Sequence, residues 1–286
     1  MTRLFGVSLF ALALLAASGF QSPKPGQTVY KGVYVDNLAH IVGTPSKEDE
    51  FLHWARKHDF NALTLYDLQE VLGDPARKQA LSAFILKARS RYGIKEVTAV
   101  VSKAATVTGA VDQYNHSQAD PRSCFDYTNL ELEWWNNACS FREYDATLQA
   151  MKKWGDLQNP AVPNEEYIGW FKNPVGEDSL MAAALVRNSE RILLHDYQHD
   201  MSFSYVQPRL EWIGKAARAQ RKVMPVIIIF NAKDVYLGDF FATHPFSDAY
   251  QFIQYEFQKA EFPGKANVRL IGYQIYNQST ARLCKP

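Results

Sequence analysis

From Lys31 onward, short β-rich runs alternate with longer runs whose apolar residues recur every three or four positions. The first class comprises KGVYVD, ALTLY, EVTAVVS, the stretch from Thr128 to Trp134, YIGWF, RILLHDY, PVIIIF and VRLIGYQIY. The second is typified by EDEFLHWARKHDF, where Phe51, Trp54, Ala55 and His58 fall at i, i+3, i+4 and i+7, the spacing of one helix face. DPARKQALSAFILKARSRYG carries its own punctuation: Asp74 as N-cap, Pro75 in the first turn and Gly93 as the stop. FREYDATLQAMKKWGDL, GEDSLMAAALVRNS, FSYVQPRLEWIGKAARAQRK and PFSDAYQFIQYEFQKA read as further helices, and Lys103 to Asp120 as a short helix within a long loop.

Alternation of strand and helix, with a strand as apolar as PVIIIF, implies a parallel sheet covered by helices. Eight such units over 31–286 imply a closed (β/α)8 TIM barrel forming a single domain. An open doubly wound sheet would be expected to carry a glycine-rich phosphate turn after its first strand, and DNLAHIVGTPS has no GxGxxG spacing.

The chain opens differently. Arg3 precedes the apolar run LFGVSLFALALLAA, followed by Ser18 and Gly19. A positive start, an apolar middle and small residues describe a signal peptide over 1–19, then a flexible lead-in over 20–30, so the mature protein is expected to be exported and to have no membrane span. A net charge of +1 gives no electrostatic case for nucleic acid. Aromatic residues make up 13% of the chain, enough for a large core and an aromatic-lined cleft. Cys124 and Cys139 bracket the fourth strand, and Cys284 is an equally valid partner for either. The strand between them would span about 26 Å at ~3.3 Å per residue, so flanking loops must fold back for that pair to meet.

Within DYTNLELEWWN, polar and apolar residues alternate from Thr128. In a barrel, Leu130, Leu132 and Trp134 would face the helices, and Asn129, Glu131 and Glu133 the interior. Carboxylates there are costly unless paired or functional, and barrel sites lie at the carboxyl ends of strands.

This stretch resembles the DxxDxDxE motif on the fourth barrel strand of family-18 glycoside hydrolases, the chitinases and endo-N-acetylglucosaminidases. Asp126 and Glu133 match its first and last positions, while Asn129 and Glu131 replace the two middle acids. The resemblance implies a glycosidase for N-acetylglucosamine-containing glycans, with Glu133 as general acid and Glu131 orienting an acetamido group that itself attacks the anomeric carbon. It also implies that burial and the Glu131 charge raise the pKa of Glu133. Tyr197 and Asp196 stand where the family has a strand-six Tyr/Asp pair, in reversed order, and Tyr197 is expected to hydrogen-bond the acetamido group or the reaction centre. Trp135, Trp170 and Tyr276 are candidate stacking surfaces, with Asp126 and Asn129 behind them. The scheme needs no cofactor. A strand-three SxGG motif survives only as Ser102-Lys103-Ala104-Ala105.

Two other readings stand beside it. A barrel that kept its cleft but not the strict acid pattern would bind carbohydrate without turnover. Alternatively, HDYQHD, with His195, Asp196, His199 and Asp200, carries residues able to ligate a divalent metal in a hydrolase. A serine esterase finds no GxSxG.

Overall fold

The computed structural model describes residues 28–171 and 177–284. The signal peptide and most of the lead-in read from the sequence lie outside the described residues. Eight strands, β1 (Tyr30–Val35), β2 (Ala62–Leu65), β3 (Glu96–Val101), β4 (Tyr127–Leu130), β5 (Asn164–Ile168), β6 (Arg191–Asp196), β7 (Met224–Asn231) and β8 (Val268–Tyr276), close in that order into a barrel. Every pairing is parallel, and β8 returns to β1 with Gln274 beside Gly32. This is the (β/α)8 TIM barrel.

The outer layer includes α1 (Pro45–Lys57), α2 (Pro75–Tyr92), α3 (Phe141–Asp156), α4 (Glu177–Asn188), α5 (Phe203–Ala219) and α6 (Phe246–Lys259). The caps of α2 are those written in its sequence. The Asp74 side chain accepts from the backbone N–H groups of Ala76 and Arg77, and Gly93 takes φ +78°, a left-handed conformation that favours glycine. A Ser140–Glu143 capping box starts α3. Among the described residues, no helix is long and apolar enough to cross a membrane.

Three elements differ from their expectation. The segment between β3 and β4 is mostly helical, running through Ala104–Thr106, a π-turn at Val107–Val111 and Asp112–His116. β5 begins at Asn164 rather than Tyr167, because its two acids are engaged at once. Glu165 meets Arg191 in the interior, and Glu166 accepts from the Tyr144 hydroxyl on the helix side at 2.7 Å. β4 ends at Leu130, short of Trp134. The Glu131 amide makes one more bond, to Val101, and the chain then turns so that Trp134 and Trp135 both bury.

The barrel interior is unusually polar toward its amino-terminal end. Arg191 is buried there, ion-paired with Glu96 and Glu165, with its guanidinium 3.9 Å from the Tyr127 ring centroid and 4.7 Å from that of Tyr30. Above it Asn129 donates to Glu165 at 2.9 Å, and Gln274 donates to Thr64 at 2.7 Å while accepting from Tyr30 at 2.6 Å. This packed layer separates the two ends of the barrel, so a ligand entering from the carboxyl rim meets a closed floor.

All three cysteines are free thiols: Cys124 lies before β4, Cys139 after it, and Cys284 is buried beside the Ala232 carbonyl. The rise of β4 keeps Cys124 and Cys139 at opposite ends of the strand, and Cys284 bridges to neither, so none of the three pairings left open by the sequence forms.

Candidate active site

At the carboxyl rim a cleft of about 210 Å³ is lined by Tyr34, Tyr66, Glu131, Glu133, Tyr167, His195, Tyr197, Asn231, Lys233, Tyr236 and Tyr276. The period-2 rule explains the membership. Along β4 the inward positions run Tyr127, Asn129, then Glu131 and Glu133 past its end. Along β6 they run Arg191, Leu193, His195, then Tyr197. The lower members of each series fill the floor, and the upper ones reach the cleft.

The two glutamates are held by phenols from different strands. Tyr66, just past β2, donates to Glu131 Oε1 at 3.0 Å. Tyr167 on β5 donates to Glu133 Oε1, and the Asn136 amide donates to Glu133 Oε2. Burial pushes the Glu131 carboxyl up to about 6; the Tyr66 bond opposes that and the Glu133 charge adds to it. Burial also raises Tyr34, Tyr66, Tyr167 and Tyr197 above the ordinary phenol range, so each remains a hydrogen-bond donor at neutral pH. The Tyr34 hydroxyl is buried with no partner. The turn after β7 brings up Lys233, its backbone N–H donating to Asn231 Oδ1 at 3.0 Å.

Of the residues singled out for the glycosidase reading, Glu131, Glu133, Tyr197 and Tyr276 meet in this cleft, and five do not. Asp126 sits at the opposite, amino-terminal end, accepting from Arg89 at 2.6 Å and the Val97 amide at 2.7 Å. It borders a separate hollow of about 380 Å³ there. Asn129 is fully buried in the floor. Trp135 is 7% exposed and stands behind the wall, edge-on to Tyr167 and His195. Trp170 is 47% exposed, but outside the cleft lining, against Tyr205 and Arg209. Asp196 is buried on the helix side of β6, its neighbours along the strand facing the other way, and both its oxygens lack partners. Burial raises it to about 7, against the pull of Arg209.

That alternation also separates the metal candidates. His195 faces the cleft and Asp196 faces away, while His199 and Asp200 are exposed on the loop. Among the described residues, no three His, Cys, Asp or Glu side chains come together as a metal site would require.

Tyr34, Tyr66, Tyr167, Asn231, Lys233 and Tyr236 were not singled out from the sequence. A signal existed for several of them: Tyr34, Tyr66 and Tyr167 lie at or just past strand ends, in phase with the inward-facing residues.

No family model matches the sequence, and a search of curated proteins finds no match. Solved structures do match in fold. The α-L-arabinofuranosidase of Thermotoga maritima, in complex with arabinose, is 10% identical with a TM-score of 0.55, over 88% of this chain and 64% of that one. The present chain therefore spans less than two thirds of that protein. GH5_18 of Streptomyces cattleya in complex with GlcNAc is 12% identical with a TM-score of 0.56, over 88% and 71%. A variant of the same protein with Manβ1-4GlcNAc gives 12% and 0.56, over 87% and 71%. At these identities the likeness is one of fold.

Proposed function

We propose that this chain is an exported glycoside hydrolase acting on N-acetylglucosamine-containing glycans, with Glu131 and Glu133 as its working carboxylates. The observation that carries the reading is the convergence of these two acids in one tyrosine-lined cleft at the carboxyl rim, where barrel enzymes place their chemistry. Support also comes from solved barrels of the same fold that hold arabinose, GlcNAc and Manβ1-4GlcNAc. Export rests on the charged, apolar and small-residue succession at the start of the chain.

The roles of the two acids follow from their surroundings. Burial moves the Glu131 carboxyl toward neutrality, to about 6, and it is assigned the proton that the family-18 resemblance gives to Glu133. In a substrate-assisted reaction the acetamido oxygen forms a bond to the anomeric carbon. The bond to the leaving oxygen breaks, and that oxygen takes the Glu131 proton. Glu133, held by Tyr167 and Asn136, accepts the acetamido N–H and balances the positive charge that develops. Water, deprotonated by Glu131, then opens the cyclic intermediate with retention. Tyr197 and Tyr276 form an aromatic flank, their ring centroids 5.8 Å apart, against which a sugar face packs.

The test is release of nitrophenol from p-nitrophenyl N-acetyl-β-glucosaminide, or of reducing ends from N-acetylglucosamine glycans. Loss of turnover in both Glu131→Gln and Glu133→Gln, with the fold retained, supports hydrolysis. Glycan binding without turnover, indifferent to both substitutions, would instead identify a carbohydrate-binding barrel. That second reading is favoured by the replacement of two family acids with Asn129 and Glu131.

A further inference from the structure

His195 lines the cleft, and the two-carboxylate scheme gives it no role. Its imidazole lies in the middle of a three-ring pile. The Tyr197 ring is 4.0 Å away at 11° and the Tyr167 ring 5.0 Å away at 22°. Trp135 closes the pile edge-on at 6.3 Å. A side chain clamped on both faces has lost its rotamer freedom already, so a hydrogen bond to a ligand carries little further ordering cost.

The backbone next to it is cut away. A Cβ on Gly169 would lie 2.7 Å from Trp135 Nε1 and 3.3 Å from His195 Nδ1. Only glycine leaves the indole and imidazole where they are. With Nδ1 against Gly169, Nε2 at the far end of the side chain is the nitrogen available to a ligand. Burial, aided by the field of Arg209, pushes the imidazole down to about 3. The ring is therefore neutral across the range in which Glu131 titrates, with one N–H donor and one acceptor nitrogen. A neutral donor–acceptor ring beside two carboxylates is suited to reading hydroxyl or amide groups, and unsuited to proton transfer near neutral pH.

We infer that His195 is a substrate-binding residue of this cleft, its imidazole exchanging a hydrogen bond with a hydroxyl or acetamido group of the bound sugar. The inference rests on the glycoside-hydrolase reading and adds a specificity contact to it. It also gives the first histidine of HDYQHD a use that needs no metal.

The probe is Manβ1-4GlcNAc, titrated calorimetrically into the full chain. His195→Phe keeps an aromatic ring in the pile and removes both nitrogens. Its affinity is expected to fall about tenfold, the scale of one well-made neutral hydrogen bond, with an unchanged melting temperature. His195→Gln, which restores a donor and an acceptor, should recover part of the loss. Undiminished affinity in the Phe variant overturns the inference, while loss of turnover in Glu131→Gln would still uphold the hydrolase reading. Should the Phe variant not fold, the ¹⁵N resonances of the imidazole in the unaltered protein decide. A shift on adding the disaccharide supports the contact, and a static signal while other cleft resonances move overturns it. If the unaltered protein neither binds nor cleaves any N-acetylglucosamine-containing sugar, the hydrolase reading fails and this contact falls with it.

Discussion

The Tyr66 hydroxyl donates to Glu131 Oε1 at 3.0 Å, joining the ends of β2 and β4 across the intervening β3. This bond works against the effect of burial. Desolvation lifts the carboxyl, the phenol stabilises its ionised form, and the balance is a group near pH 6. A general acid for a neutral or mildly acidic medium needs that balance.

The pH profile should show it. If Glu131 carries the proton, kcat/KM falls as pH rises through about 6, with the acid form lost above that value. Tyr66→Phe removes a bond that favours the carboxylate, so the falling limb should move upward by roughly one pH unit, one neutral hydrogen bond expressed as a pKa change. A limb that stays put in the variant would separate Glu131 from the titration.

Glu133 should behave differently. Glu133→Gln keeps the size of the side chain but loses its charge, and turnover should fall at least ~100-fold, with folding intact because the residue is half-exposed. Tyr167→Phe removes only one of its two donors and should cost about tenfold. Steady-state kinetics with circular dichroism on each variant would check both, and full activity in Glu133→Gln would refute the proposed pairing.

How much of this was legible in the sequence depended on how local the information was. PVIIIF is apolar at every position, because β7 is buried on both faces, and it announced a strand directly. Glu131 and Glu133 kept the period-2 phase of β4 even though the strand stops at Leu130, so their facing was readable. Asn164, Glu165 and Glu166 looked unlike a buried strand. The two glutamates are partnered by Arg191 in the next strand and Tyr144 in the preceding helix, and Asn164 by the Asn188 carbonyl, and no pattern within five residues records such pairings. Trp135 and Trp170 were candidates because exposed and buried tryptophans look alike in sequence. Only the turn at Trp134–Asn136 decides that Trp135 backs the wall rather than lining it.

Asp196 should make stability fall with rising pH. Its folded value of about 7 stands above the ordinary 3.8 of an unfolded aspartate. Between those values the native state binds more protons than the unfolded one, so stability is fully present below about pH 4 and is lost as pH climbs through about 7. The size is a few kcal/mol at most, about 1.4 per pKa unit. Asp196→Asn cannot ionise, and should melt higher than the unaltered protein at pH 8 while differing little at pH 4. Parallel melting curves across this range would argue against a buried, unpartnered carboxyl at this position.

The ion cluster beneath the cleft gives the sharpest stability prediction. Arg191 is the cation between Glu165, which is completely buried, and Glu96. Burial raises Glu165, and the guanidinium of Arg191 is the largest influence pulling it back. Arg191→Met keeps much of the apolar volume between the Tyr30 and Tyr127 rings, yet leaves Glu165 without its counter-charge. The cost should be roughly 3–5 kcal/mol, as for breaking other buried pairs from one side. The loss should shrink at low pH, where Glu165 takes up a proton. Adding Glu165→Gln to Arg191→Met should recover much of it, because the buried charge is then gone and the amide can still pair with Asn129. Denaturant unfolding of the single and double variants gives the coupling directly. Additive losses would mean that the two side chains stabilise the barrel floor independently, contrary to the contacts they make.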